Sequence, residues 1–151
     1  MVVYWGQAGT TSVDLKDMCE DPGIDVVILA FLTQYKADGG YPSVDFSNAC
    51  FDHTPRQNAA GAIRLLHCPE MTRAIRKCQQ NRKIVLLSIG GAVSKVDFNA
   101  EKDAIDAAAM LWDLFGSGNG QDPGMRPFGD AILDGFDIGM SKDDLTSLIS
   151  V

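Results

Sequence analysis

The sequence predicts an α/β fold in which parallel strands alternate with helices. The first observation is a pair of runs, Ile24 to Leu32 (IDVVILAFL) and Lys83 to Ala92 (KIVLLSIGGA), nearly continuous in β-branched and aliphatic residues. That is the pattern of strands buried on both faces of a parallel sheet. The second lies between them, where Met71, Ala74, Ile75 and Cys78 recur at i, i+3, i+4 and i+7 with Arg73, Arg76 and Lys77 turned outward. One face of a crossing helix therefore packs inward.

The elements follow in order. Val2 to Trp5 (VVYW) reads as a short strand, and a short helical piece follows around Asp14 to Cys19. The second strand is Ile24 to Leu32. From Thr33 to His67 the chain holds Gly39, Gly40, Pro42, Pro55 and Gly61, so regular structure is expected to be sparse in a loop long enough to suggest binding. Pro69 opens the next helix, at a position where its missing N–H costs nothing. Lys83 to Ala92 is the third strand, closed by a glycine pair. Ile105, Ala108, Ala109, Trp112 and Phe115 predict the core face of a third helix, and Asp130 to Ile138 (DAILDGFDI) the fourth strand. A doubly wound sheet and half of a (β/α)8 barrel both satisfy this β-α-β-α-β-α-β string.

With 151 residues, 46% of them apolar and 22% charged, one domain with a buried core is expected. A formal net charge of -7, with Lys and Arg scattered outside the Arg73 to Lys83 region, argues against a nucleic-acid partner. The longest apolar run, Val26 to Leu32, is far short of the roughly 20 residues of a membrane helix, so no membrane partner is expected. Met1 leads directly into the first strand, with no secretory signal visible in this chain. Cys19, Cys50, Cys68 and Cys78 lack CxxC spacing, leaving free core thiols or two disulfides in any of three connectivities.

Ligands approach a parallel α/β sheet at the carboxyl ends of its strands. There the sequence places Tyr4, Trp5, Gly6 and Gln7 on the first strand, Phe31 on the second, Ser88, Gly90 and Gly91 on the third, and Asp134 and Asp137 on the fourth. A carboxylate inside an apolar strand is costly unless it is paired, hydrogen-bonded or used, which makes Asp134 and Asp137 the leading chemical candidates. The alternative is that they merely cap the strand. SIGGA matches no phosphate-binding loop, and DGFDIG has Phe136 where a calcium loop needs an oxygen ligand, so no metal or cofactor is expected. His53 and His67 stand alone and are expected at the surface.

Four segments in order, VYWGQ, VILAFL, LLSIGGA and RPFGDAILDGFDI, resemble glycoside hydrolase family 18, and specifically the class III chitinases of fungi and plants. The resemblance spans Val2 to Ile138. It implies the first half, about four β/α units, of a TIM (β/α)8 barrel truncated after the fourth strand, with residues 139 to 151 a non-homologous tail. It also implies hydrolysis of β-1,4-linked N-acetylglucosamine polymers by a substrate-assisted retaining mechanism, an exception to the usual two-carboxylate scheme. Chitin or its oligosaccharides would be the partner and the location extracellular.

In that family the fourth strand reads DGxDxDxE. Asp134 and Asp137 match the first two aspartates as supporting carboxylates, whereas Gly139 stands where the acetamido-orienting Asp belongs and Ser141 where the general acid belongs. General acid help is commonly worth about 10²- to 10⁴-fold, and a serine hydroxyl cannot supply it near neutral pH. The chain is therefore expected to be inactive, the alternative being a chitinase-like carbohydrate-binding protein. Tyr4, Phe31, Gly90 and Gly91 match positions lining the sugar subsite beside the cleaved bond. The resemblance also implies disulfides between Cys19 and Cys78 and between Cys50 and Cys68.

Overall fold

The computed structural model describes residues 1–9, 13–37, 40–50, 56–58, 61–63, 67–92, 94–96, 98, 100–121 and 123–139. Ser141 and His53 lie outside the described residues. Four parallel strands form the sheet: β1 (Val2–Trp5), β2 (Val26–Gln34), β6 (Ile84–Gly90) and β7 (Gly135–Gly139), in the order β1-β2-β6-β7. Helices α1 (Leu15–Met18), α2 (Pro69–Gln80) and α3 (Glu101–Phe115) fall between them in the chain. This is a mixed α/β fold with a parallel sheet.

The register explains which face is dry. Trp5 aligns with Leu29, Leu29 with Leu87, and Leu87 with Phe136, so one side chain from each strand meets on a common face. Val27, Leu29, Val85 and Leu87 are fully buried there, and Leu15, Met71, Ile75, Leu114 and Phe115 close over them from the helices. The two central strands read as near-continuous apolar runs because both their faces are largely covered. On the opposite face Tyr4 and Ile84 are exposed, and Asp137 projects.

The region from Thr33 to His67 holds little regular structure among its described residues, but not none. β3 (Ser43–Val44) pairs antiparallel with the end of β2, and Phe31 and Asp45 exchange both backbone hydrogen bonds. β4 (Arg56–Asn58) and β5 (Gly61–Ile63) form a small antiparallel pair. The structure joins Cys19 to Cys78, tying α1 to α2, and Cys50 to Cys68, closing the long loop onto the start of α2.

Two expectations need correction. The fourth strand begins at Gly135 rather than Asp130. Ala131 and Leu133 are buried in an irregular segment whose alternation mimics a strand, and the Leu133 amide donates to Phe115 in α3 rather than to the sheet. The core face of α3 is also different: Ala107, Leu111, Leu114 and Phe115 are buried, while Ile105 is 60% exposed and Trp112 45%. Lys102, Asp106 and Asp113 line the side opposite Leu111, but small and apolar residues fill most of the remaining circumference, so apolar recurrence taken without those charges fits two phases. Trp112 folds back over Gly116, where any added Cβ would strike the indole, and so it covers the helix end instead of the sheet.

Candidate functional site

Because side chains alternate along a strand, Ala30, Ser88 and Asp137 sit in register on the same face at the carboxyl end of the sheet. Asp137 accepts two hydrogen bonds on one carboxylate oxygen, from the Ser88 hydroxyl at 2.7 Å and from the Tyr4 phenol at 3.0 Å. The second bond constrains the whole sheet. Tyr4 and Asp137 lie on the two outer strands, three strand spacings or about 14 Å apart in a flat sheet, so the sheet must curl towards this face for them to touch. Donating to Asp137 raises the Tyr4 pKa above its ordinary value, helped by partial burial and by the carboxylate's charge. Tyr4 therefore remains a donor throughout the ordinary pH range.

The other residues expected at the subsite gather around this triad. The Phe31 ring lies 6.2 Å from that of Tyr4, and Gly91 faces it so closely that an added Cβ would stand 2.9 Å from the ring. Gly91 also adopts φ +92°, a conformation in which a side chain would be strained. Its amide donates to the Gly139 carbonyl, and Gly90 pairs with Gly139 in the ladder. Gln7 spends both amide hydrogens on backbone carbonyls, Ala30 at 2.8 Å and Asp45 at 2.9 Å, and so holds the ends of β1, β2 and β3 together. Beside them opens a cleft of about 390 Å³ lined by Tyr4, Gly6, Gln7, Met18, Ala30 and Phe31 among others. A wider groove of about 670 Å³ between α1 and α2 has a rim of mixed charge, including Lys16, Glu20, Arg73 and Lys77, and none of the strand-end carboxylates lines it.

Asp134 is placed elsewhere. It precedes β7 at the amino end of the sheet, three residues or about 10 Å along the strand from Asp137. Its carboxylate accepts from the Val85 amide at 2.8 Å and from the Gln79 side chain at 3.2 Å, while its own amide donates to the Val85 carbonyl. In this position Asp134 anchors the start of β7 onto β6 and α2. Gly139, by contrast, lies two residues beyond Asp137 on the same face. A Cβ there would meet the Ser88 hydroxyl at 2.5 Å and lie 3.6 Å from the Asp137 carboxylate. The Ser88 hydroxyl reaches into the space that a side chain at 139 would enter.

Ser88 and Gln7, at strand ends in the sequence, hold this arrangement together through Asp137 and through the Ala30 and Asp45 carbonyls. The signal was present: Ser88 is fully buried and is the one polar side chain in β6. Removing each hydroxyl from Asp137 should separate the two contributions. Ser88→Ala is expected to cost about 1–2 kcal/mol, because it withdraws a buried donor from a carboxylate, and Tyr4→Phe, at an exposed ring, less than about 1 kcal/mol. Urea unfolding of the two variants checks the order.

Among the described residues no group of three or more His, Cys, Asp or Glu is arranged to hold a metal ion, and no helix is long and apolar enough to cross a membrane. His67 is half-buried beside Cys68.

Comparison with protein-family profiles gives no match. A class III chitinase of Arthroderma benhamiae is 42% identical over 140 residues, covering 91% of this chain and 37% of its own length. The chain spans roughly a quarter to a half of the length of the curated relatives it matches, which are fungal chitinases. Among solved structures, the ICChI chitinase of Ipomoea carnea superimposes with a TM-score of 0.73 at 28% identity, covering 95% of this chain and 47% of its own. The xylanase and α-amylase inhibitor protein XAIP-II of Scadoxus multiflorus gives 0.69 at 30% identity, over 93% of this chain and 44% of its own.

Proposed function

We propose, from the premise that this chain is a homologue of the class III chitinases of glycoside hydrolase family 18, that it binds chito-oligosaccharides at the carboxyl ends of its strands without cleaving them. Residues 1–138 would be the first four β/α units of the (β/α)8 barrel, and residues 139–151 a segment that departs from it. The observation that carries this reading is Gly139. Beside Asp137, where the family's acetamido-orienting carboxylate belongs, there is only a glycine, with the Ser88 hydroxyl close by.

The chemistry follows from what is lacking. A substrate-assisted step needs a carboxylate to turn the acetamido oxygen onto the anomeric carbon and an acid to protonate the departing oxygen. One oxygen of Asp137 is held by Tyr4 and Ser88, no carboxylate stands at 139, and Ser141 stands in the sequence where the acid would be. What remains is recognition: the Tyr4 and Phe31 rings offer apolar faces to a sugar, and the Asp137 carboxylate an acceptor. The likeness to XAIP-II, named as an inhibitor protein, is compatible with a non-catalytic role. Two disulfides suit an oxidising compartment and, with the fungal chitinase relatives, support a location outside the cell.

The test is to mix purified protein with N-acetylglucosamine oligomers and follow both binding and reducing-end release. Binding that weakens in Tyr4→Ala, which removes the ring, with no new reducing ends, is the expected result. Turnover above a no-protein control would overturn the inactivity, and absence of binding would overturn the recognition role.

A further inference from the structure

We propose that Asn119 is a site of spontaneous deamidation and that the Asp113 carboxylate serves as the base. The chain has five asparagines, Asn48, Asn58, Asn81, Asn99 and Asn119, followed by Ala, Ala, Arg, Ala and Gly respectively. Only Asn119 has a successor without a side chain. In deamidation the backbone nitrogen of the next residue attacks the asparagine Cγ, so any side chain on that residue obstructs the approach.

The fold itself demands the glycine. After α3 the chain turns through Gly116, Gly118 and Gly120 and wraps back around Asp113, so that a Cβ on either Gly118 or Gly120 would collide with the Asp113 carboxyl group. The Gly120 amide, the nitrogen that must attack, donates its hydrogen to Asp113 Oδ1 at 3.0 Å. An ionised carboxylate in that position only accepts, and it is suited to draw the proton off as the bond forms. Asp113 is itself held, because its backbone carbonyl accepts from Arg126. Asn119 and Gly120 are both exposed, so water reaches the product.

The step balances without an oxidant or reductant. The Gly120 nitrogen bonds to Asn119 Cγ and the bond from Cγ to the side-chain nitrogen breaks. Ammonia leaves with the proton that Asp113 relayed, and a five-membered succinimide remains. One water opens that ring at either carbonyl, leaving aspartate or isoaspartate at 119. The formal charge moves from -7 to -8, and the added carboxylate lies one residue from the amide that binds Asp113.

The experiment incubates the native protein at neutral pH and physiological temperature and maps peptides by mass for conversion of amide to acid and for isoaspartate. Asp113→Asn keeps an acceptor of the same shape but is not basic. It is expected to slow conversion at Asn119 by about threefold or more in the native protein, with the difference vanishing in urea. Should Asp113→Asn fail to fold, the wild type alone decides: Asn119 must convert faster native than in urea. No conversion at Asn119, equal native rates in the two proteins, or a native rate below the unfolded one would each overturn the proposal.

Discussion

Replacing Cys19 and Cys78 together by alanine should lower the unfolding free energy by about 4 kcal/mol, and replacing Cys50 and Cys68 by about 3 kcal/mol, from the loop-closure entropy each bridge removes from the unfolded chain. The two bridges close loops with sequence separations of 59 and 18, and the longer loop is the more costly to close. Against a typical domain stability of about 5–15 kcal/mol, losing the first is a large fraction of the whole. Its position strengthens the case. Cys19 and Cys78 are both fully buried, and their bridge holds the four-residue helix α1, too short to persist alone, against α2. Guanidinium unfolding under non-reducing conditions measures both losses. A greater loss from the Cys50–Cys68 pair would show that native contacts, rather than loop entropy, set the order.

Arg126→Met should cost about 3 kcal/mol, lowering the melting temperature by about 6–12 °C in a chain of this length. The guanidinium donates to the carbonyls of Gly116 at 2.7 Å, Gly129 at 2.9 Å and Ala131 at 3.2 Å, and to that of Asp113. Burial holds its pKa below the ordinary value, with Asp113 and Asp130 opposing the shift. The arginine gathers the end of α3 and the irregular segment before β7 into one unit, and methionine would leave those acceptors to find water. Lysine should recover less than half of the loss, since one ammonium cannot match a planar fork of five donors. A cost within 1 kcal/mol for methionine would show that the carbonyls are readily rehydrated.

Much of the architecture was legible because burial writes itself into composition. β2 and β6 are central strands, so their residues are apolar on both sides and the runs stand out. The α2 face was legible for the complementary reason: its outer side carries Arg73, Arg76 and Lys77, which fixes the phase. In α3 the charges of Lys102, Asp106 and Asp113 lie opposite Leu111 and mark the buried face, but the apolar recurrence through Ile105 and Trp112 ignores them and picks the wrong stripe. The start of β7 was misplaced because Ala131 and Leu133 alternate as a strand would while being held by Arg126 and Phe115 instead. That error carried Asp134 to the wrong end of the sheet. Tyr4, Phe31, Gly90, Gly91 and Asp137 do converge, but only the curl of the sheet brings the first strand to the last, and no local pattern encodes that curl.

The bond between Tyr4 and Asp137 joins residues 133 positions apart in the sequence. Strand order follows chain order, so β2 can add to β1, β6 to β2 and β7 to β6, each step needing only the one before it. The tyrosine contact is different: it needs every strand in place and the full curl achieved. Contacts between distant parts of a chain carry the greatest closure cost and slow folding most. The part of the near-ultraviolet signal that Tyr4→Phe removes should therefore return only with the final phase of refolding, after backbone signals from the central strands have recovered.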